Sequence, residues 1–217
     1  MGFITPSVPF AERWKIIMKR GIKYDFSLLA LLLIPVGVSL SVVGYQLSTI
    51  LKLPIFVDQI GTMLVSMIAG PWVGLVTGLL GNVVNGMLNP VSFGFAFVSM
   101  VLGLFCGFMS KWKWFTNIIG IVVGCAIINV ATAMASGVVS TFLFGGVTGA
   151  GTDLVTAAFL ATGQALWTAV ISTNLISGTF NTIINFAVSY IIVRRIPDRF
   201  LVKLNYGMPY IKKKGVK

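Results

Sequence analysis

The sequence predicts an all-α membrane protein, a six-transmembrane-helix bundle with both termini cytoplasmic. Three observations carry that expectation. Hydrophobic residues make up 57% of the 217, charged residues only 10%, and the mean hydropathy is +0.97, which leaves too little polar surface for a water-soluble globule. Fifteen of the 16 Lys and Arg lie at the two ends of the chain or in the Lys111-Trp112-Lys113 break. The segments between them are uncharged runs of bilayer length.

Four runs are long enough to cross a bilayer as single helices: Phe26 to Leu51, Phe93 to Ser110, Phe115 to Phe144 and Leu166 to Val193. The first, with Pro35 inside it, exceeds the thickness of a hydrocarbon core and is expected to tilt or kink. Ile55 to Leu88 is too long for one span and short for two, and Gly70-Pro71 interrupts it. A hairpin there gives two short spans and a total of six. That even number keeps Arg13, Lys15, Lys19, Arg20, Lys23, Lys111, Lys113 and the residues from Arg194 onward on one side, with only Lys52 on the other. Such an asymmetry marks the cytoplasmic face.

Residues 1–25 read as a leader in which Phe10, Trp14, Ile17 and Met18 share a helical face, as in a helix lying in the membrane interface; Ile16 departs from that pattern. Residues 26–193 form the bundle, and 194–217 a basic cytoplasmic tail. The stretch Gly145 to Ala165 is rich in Gly and Thr, too broken to span twice, and falls on the outer side.

The same residues exclude several activities. Confinement of the net charge of +11 to the chain ends and the 111–113 break points to a lipid bilayer as partner, not nucleic acid. There is no His, which removes the commonest general base and transition-metal ligand. Cys106 and Cys125 sit in apolar runs and read as packing residues. No Gly-Lys dipeptide occurs, so the chain has no Walker-type ATP site. With no carboxylate pair, cofactor motif or metal set either, the chain is expected not to be an enzyme and to need no cofactor.

Two helical faces carry amides among small residues. Gly74, Gly78, Asn82, Asn85 and Asn89 line up on the third span, and Asn174, Gly178, Asn181 and Asn185 on the sixth. The deep ones read as packing seams with interhelical hydrogen bonds. Near the outer surface, Tyr45, Gln46, Asp58, Asn85, Asn89, Phe93, Phe95, Asp153, Gln164 and Trp167 mix aromatic rings with amides and few charges, which suits a medium-sized organic ligand. From that set Tyr45, Asp58, Asn85, Asn89, Phe93, Gln164 and Trp167 are the expected contacts. Asp58 and Asp153 lie outside the spans, so no ionisable residue is expected at mid-membrane.

The run Asp58-Gln59-Ile60-Gly61-Thr62, Ala69-Gly70-Pro71-Trp72-Val73-Gly74 and Gly78-Leu79-Leu80-Gly81-Asn82 resembles the second and third helices of the S components of energy-coupling factor (ECF) vitamin transporters. The resemblance covers Phe26 to Val193. It implies a substrate-binding subunit in a prokaryotic plasma membrane, which captures a vitamin outside and delivers it inward by toppling. It further implies partners, a transmembrane T component and two cytoplasmic ATPases, docked through small residues of the first helix. The family's Ala-x-x-x-Ala is replaced, since Ile34 follows Ala30 at that spacing; Gly37 with Ser41 and Gly44 with Ser48 are the candidates. Within the family the Gly-Thr to Gly-Pro-Trp stretch resembles cobalamin-binding members, with riboflavin, pyridoxine-type vitamins and queuine-like bases open. Outside it, a stand-alone facilitator is the alternative.

Overall fold

The computed structural model describes residues 25–51, 56–149 and 151–211, which form helices and contain no strand. In chain order the principal helices are α1 (Leu28–Ile50), α2 (Ile60–Ala69), α3 (Pro71–Leu88), α4 (Ala96–Lys111), α5 (Ile118–Phe144), α6 (Asp153–Ala161) and α7 (Leu166–Arg195). Four of them, α1, α3, α5 and α7, are long and apolar enough to cross a membrane, while α2 and α4 are shorter apolar helices. The large exposed side chains of α5, among them Ile118, Ile119, Val122 and Met134, suit contact with lipid. These features are consistent with a membrane protein. The expected amphipathic face of the leader and Lys52 lie outside the described residues.

Local chemistry sets the helix limits. Ser27 caps α1 by accepting a hydrogen bond from the Ala30 amide at 3.2 Å. Between α2 and α3 the chain turns at Gly70, whose φ of +101° is a conformation that side chains rarely adopt. Pro71 then occupies the first turn of α3, where its missing N–H costs nothing. The hairpin expected at Gly70-Pro71 is therefore present.

The most buried helix is also a short one. α2 has 10 residues, about 15 Å at the usual rise, roughly half of a hydrocarbon core. Every residue from Gly61 to Ala69 is buried, because α1, α3, α4 and α7 all pack on this helix. Close approach depends on glycine. A side chain at Gly61 would run into the Gly37 carbonyl, and one at Gly44 into the Val57 carbonyl.

Ahead of α2 the chain is irregular, and side chains complete its hydrogen bonds. Asn181 Oδ1 accepts from the Phe56 amide at 3.0 Å. Asn185 donates to the Phe56 carbonyl at 2.6 Å and accepts from the Gln59 amide at 3.2 Å. Ser48 accepts from the Val57 amide at 3.3 Å, and Ser189 donates to the Ile60 carbonyl at 2.9 Å. Asn181 stands midway along α7, so the segment 56–59 enters the bundle. Asp58 was expected near the outer surface; it is carried inward with its neighbours.

Two further segments carry structure of their own. The stretch 145–165 holds the nine-residue helix α6, anchored by Asp153, whose carboxylate accepts from the amides of Thr148 and Gly149 at 2.9 and 2.7 Å. Beyond α7, residues 198–211 fold over the basic end of the bundle. The Tyr206 amide donates to the Ile68 carbonyl, and its hydroxyl to Asp25 at 2.9 Å. Burial pushes the Asp25 carboxyl up, with the Tyr206 bond and the nearby Lys111 charge opposing. Ser110 donates to the Met67 carbonyl at 2.7 Å and receives the Tyr210 hydroxyl at 2.8 Å.

Replacing Asn185 by Leu should leave the Phe56 carbonyl and Gln59 amide without partners. Each orphaned buried group costs about 1–3 kcal/mol, so a loss of several kcal/mol is expected, read as a fall in the thermal unfolding midpoint of the detergent-purified protein. An unchanged midpoint would mean that these bonds are not what holds the segment. Gly61→Val should be at least as disruptive.

Candidate functional site

One cavity of about 400 Å³ lies among α1, α3, α4, α5, α7 and the irregular segment. At the loop end its wall is formed by Tyr45, Thr49, Asn89, Val91 and the loop residues Thr148, Gly149, Gly151 and Thr152. Deeper, Phe56, Asp58, Gln59, Asn82, Ser99, Thr132, Asn174, Gly178, Asn181 and Thr182 line it. The volume falls in the range of about 300–1,000 Å³ usual for small-molecule sites.

Each wall follows from local packing. On α3, Gly78 presses against the Ser99 backbone, which brings Asn82 within 2.5 Å of the Ser99 hydroxyl. On α5, Thr132, Ser136 and Ser140 recur at four-residue intervals and place a hydroxyl stripe along the cavity. On α7, Asn174 faces Ser136 at 3.4 Å, and Gly178 leaves room for the Asn129 side chain. Tyr45 and Asn89 meet at the rim, the amide donating to the phenol oxygen at 2.8 Å.

Of the seven expected contacts, Tyr45, Asp58 and Asn89 line the cavity. The others do not. Asn85 is buried behind the wall at 1% exposure, with Oδ1 lacking a hydrogen-bond partner. Phe93 lays its ring over Gly86 and is half exposed. Gln164 is exposed in the turn before α7, and Trp167 sets its ring edge-on to Phe142, 5.8 Å between centroids. Among the aromatic residues of the outer set, Phe95 also reaches the cavity, stacked on Phe144.

Sequence reasoning assigned Asn82, Asn174 and Asn181 to packing seams, and the structure gives them two roles, since each also borders the cavity. The hydroxyls of α5 went unnoticed. Their signal was the four-residue recurrence of Thr and Ser in an otherwise apolar helix.

The docking candidates Gly37, Ser41, Gly44 and Ser48 are all buried. Gly37 faces Val65 and Thr77, Ser41 lies against Gly61 and Gly81, and Gly44 and Ser48 meet Val57. This seam is taken up within the chain. What α1 leaves outward is Leu28, Leu31, Leu32, Val36, Val43, Leu47 and Ile50.

Among the described residues no cluster of three or more His, Cys, Asp or Glu side chains could hold a metal ion. Comparison with protein-family models, curated proteins and solved structures finds no match. The fold and site thus define an all-helical protein, with four helices able to cross a membrane, that carries a cavity of mixed polar and apolar lining between them.

Filling the cavity provides a test. Ser136→Trp is expected to abolish retention of any small molecule that copurifies with the wild-type protein, with thermal stability in detergent little changed. Retention by that variant would place the molecule elsewhere.

Proposed function

We propose that the protein is the substrate-binding membrane subunit of an ATP-driven, ECF-type vitamin importer. In this reading α1 to α5 and α7 are six membrane-crossing elements, both termini are cytoplasmic, and the loop end of the cavity faces outward. The observation that carries the proposal is the cavity itself: a partly open site of small-molecule size, with amides and hydroxyls among its lining, that reaches from the loop end to mid-bundle.

The basic end supports a binder over a channel. Below the cavity lie the closely packed surroundings of α2, where the hydroxyls of Ser66, Ser110 and Ser189 are spent on the Thr62, Met67 and Ile60 carbonyls, and an aromatic series in which Phe115 and Phe186 are 4.8 Å apart, Phe186 stacks on Tyr190, and Tyr190 meets Tyr210. A conducting facilitator needs a continuous polar path, and this packing favours none. Docking of the T component falls to the exposed apolar face of α1, as the small-residue seam is occupied.

Cobalamin is the ligand that the resemblance favours. The cavity volume favours a smaller vitamin, and cobalamin would require the Thr148–Thr152 loop to move aside.

The test is mass spectrometry of small molecules released from the purified chain, with a vitamin titration panel and identification of copurifying subunits. A single vitamin bound at nanomolar affinity, together with a T component and two ATPases, is the expected result. Absence of both would overturn the proposal. Once a ligand is in hand, Tyr45→Ala and Asn89→Ala should each weaken it by about 1–3 kcal/mol, whereas Trp167→Ala, outside the cavity, should leave affinity unchanged.

A further inference from the structure

In a chain of net charge +11, the one charged side chain among the described residues that line the cavity is negative. Asp58 belongs to the irregular segment drawn toward mid-bundle by Asn181 and Asn185. Its Oδ1 is sealed from solvent and has no hydrogen-bond partner. Asp153, the acidic residue at the loop end, differs in being consumed by Thr148 and Gly149. A carboxyl held inside an apolar bundle is costly unless it meets a partner, and such residues mark binding and transport sites.

The surroundings favour a positive partner. Thr132 spends its hydroxyl proton on the carbonyl of Ile128 at 2.8 Å, which leaves its oxygen as an acceptor in the cavity wall. The aromatic residues Tyr45, at the loop end, and Phe56, deeper, also line the cavity, and ring faces attract cations. The space is far larger than a bare metal ion needs and is of a size for an organic molecule.

We propose that the ligand of this cavity is an organic cation, a small molecule with a protonated or quaternary nitrogen for which Asp58 is the counter-charge. This rests on the binding-subunit reading above and narrows its substrate class.

Matched pairs differing in one positive charge test it on the full chain in lipid nanodiscs by calorimetric titration at pH 7. The pairs are thiamine against its isostere with carbon in place of the charged ring nitrogen, pyridoxamine against pyridoxine, and choline against 3,3-dimethylbutan-1-ol. Riboflavin, biotin and cobalamin complete the panel. At least one cation should bind about tenfold or more tighter than its neutral twin, the scale of a charge-assisted contact. Asp58→Asn should bring the two members of that pair to about equal affinity. If this variant does not fold, the pair ratio on the unaltered chain decides.

Equal affinities within every pair, or a tightest ligand that is uncharged and indifferent to Asp58→Asn, would overturn the cation assignment and leave the binding reading standing. A preference abolished by sodium chloride but not by potassium chloride at the same ionic strength would assign Asp58 to an inorganic ion and overturn it too. No binding by any compound would overturn both.

Discussion

Irregular backbone inside an apolar bundle is tolerable only if its amides and carbonyls find partners, and at residues 56–60 the partners are side chains of α1 and α7. Asn181, Asn185, Ser48 and Ser189 together satisfy the amides of Phe56, Val57 and Gln59 and the carbonyls of Phe56 and Ile60. Much else depends on this. Because the segment is held there, α2 begins deep in the protein and needs only 10 residues to reach the basic end. The space that a full-length second helix would have filled is the cavity.

Glycine makes the arrangement possible from the other side. With α1 in backbone contact at Gly37 and Gly44, α2 can be surrounded on all faces without a gap. A seam of small residues thus serves burial of a short helix, which sequence spacing alone cannot distinguish from a seam offered to another protein. Both need close approach; only the neighbours within the fold decide which one is present.

Long apolar helices and the Gly70-Pro71 hairpin were legible in the sequence because composition and turn chemistry are local properties. The amides of α3 and α7 were legible as a periodic face. Their use was not, for Asn185 turns out to bond backbone far away in sequence while Asn82 and Asn174 border the cavity. Depth was the least legible quantity. Asp58 precedes its helix by two residues and so reads as peripheral, yet the bonds that carry it inward come from residues more than 120 positions away. Aromatic residues misled in the opposite direction: Phe93 and Trp167 look like ligand platforms, and their rings instead pack on Gly86 and Phe142. Helix α6 escaped notice because Gly and Thr flank a short apolar run.

The two ends of the bundle have opposite characters, and this bears on how a bound molecule could pass. The basic end, separated from the cavity by α2, is closed by buried contacts: the Tyr206 amide bonds the Ile68 carbonyl, the Ser110 hydroxyl the Met67 carbonyl, and Gly70 fits under the Tyr206 ring with no room for a side chain. Opening a route through it would break several buried hydrogen bonds and separate tightly packed rings, a change comparable in cost to local unfolding. Moving the bundle as one body breaks none of them. Under the proposed function, a site that fills from the loop end above a base that resists opening makes release on the far side less costly by reorienting the whole molecule than by gating within it.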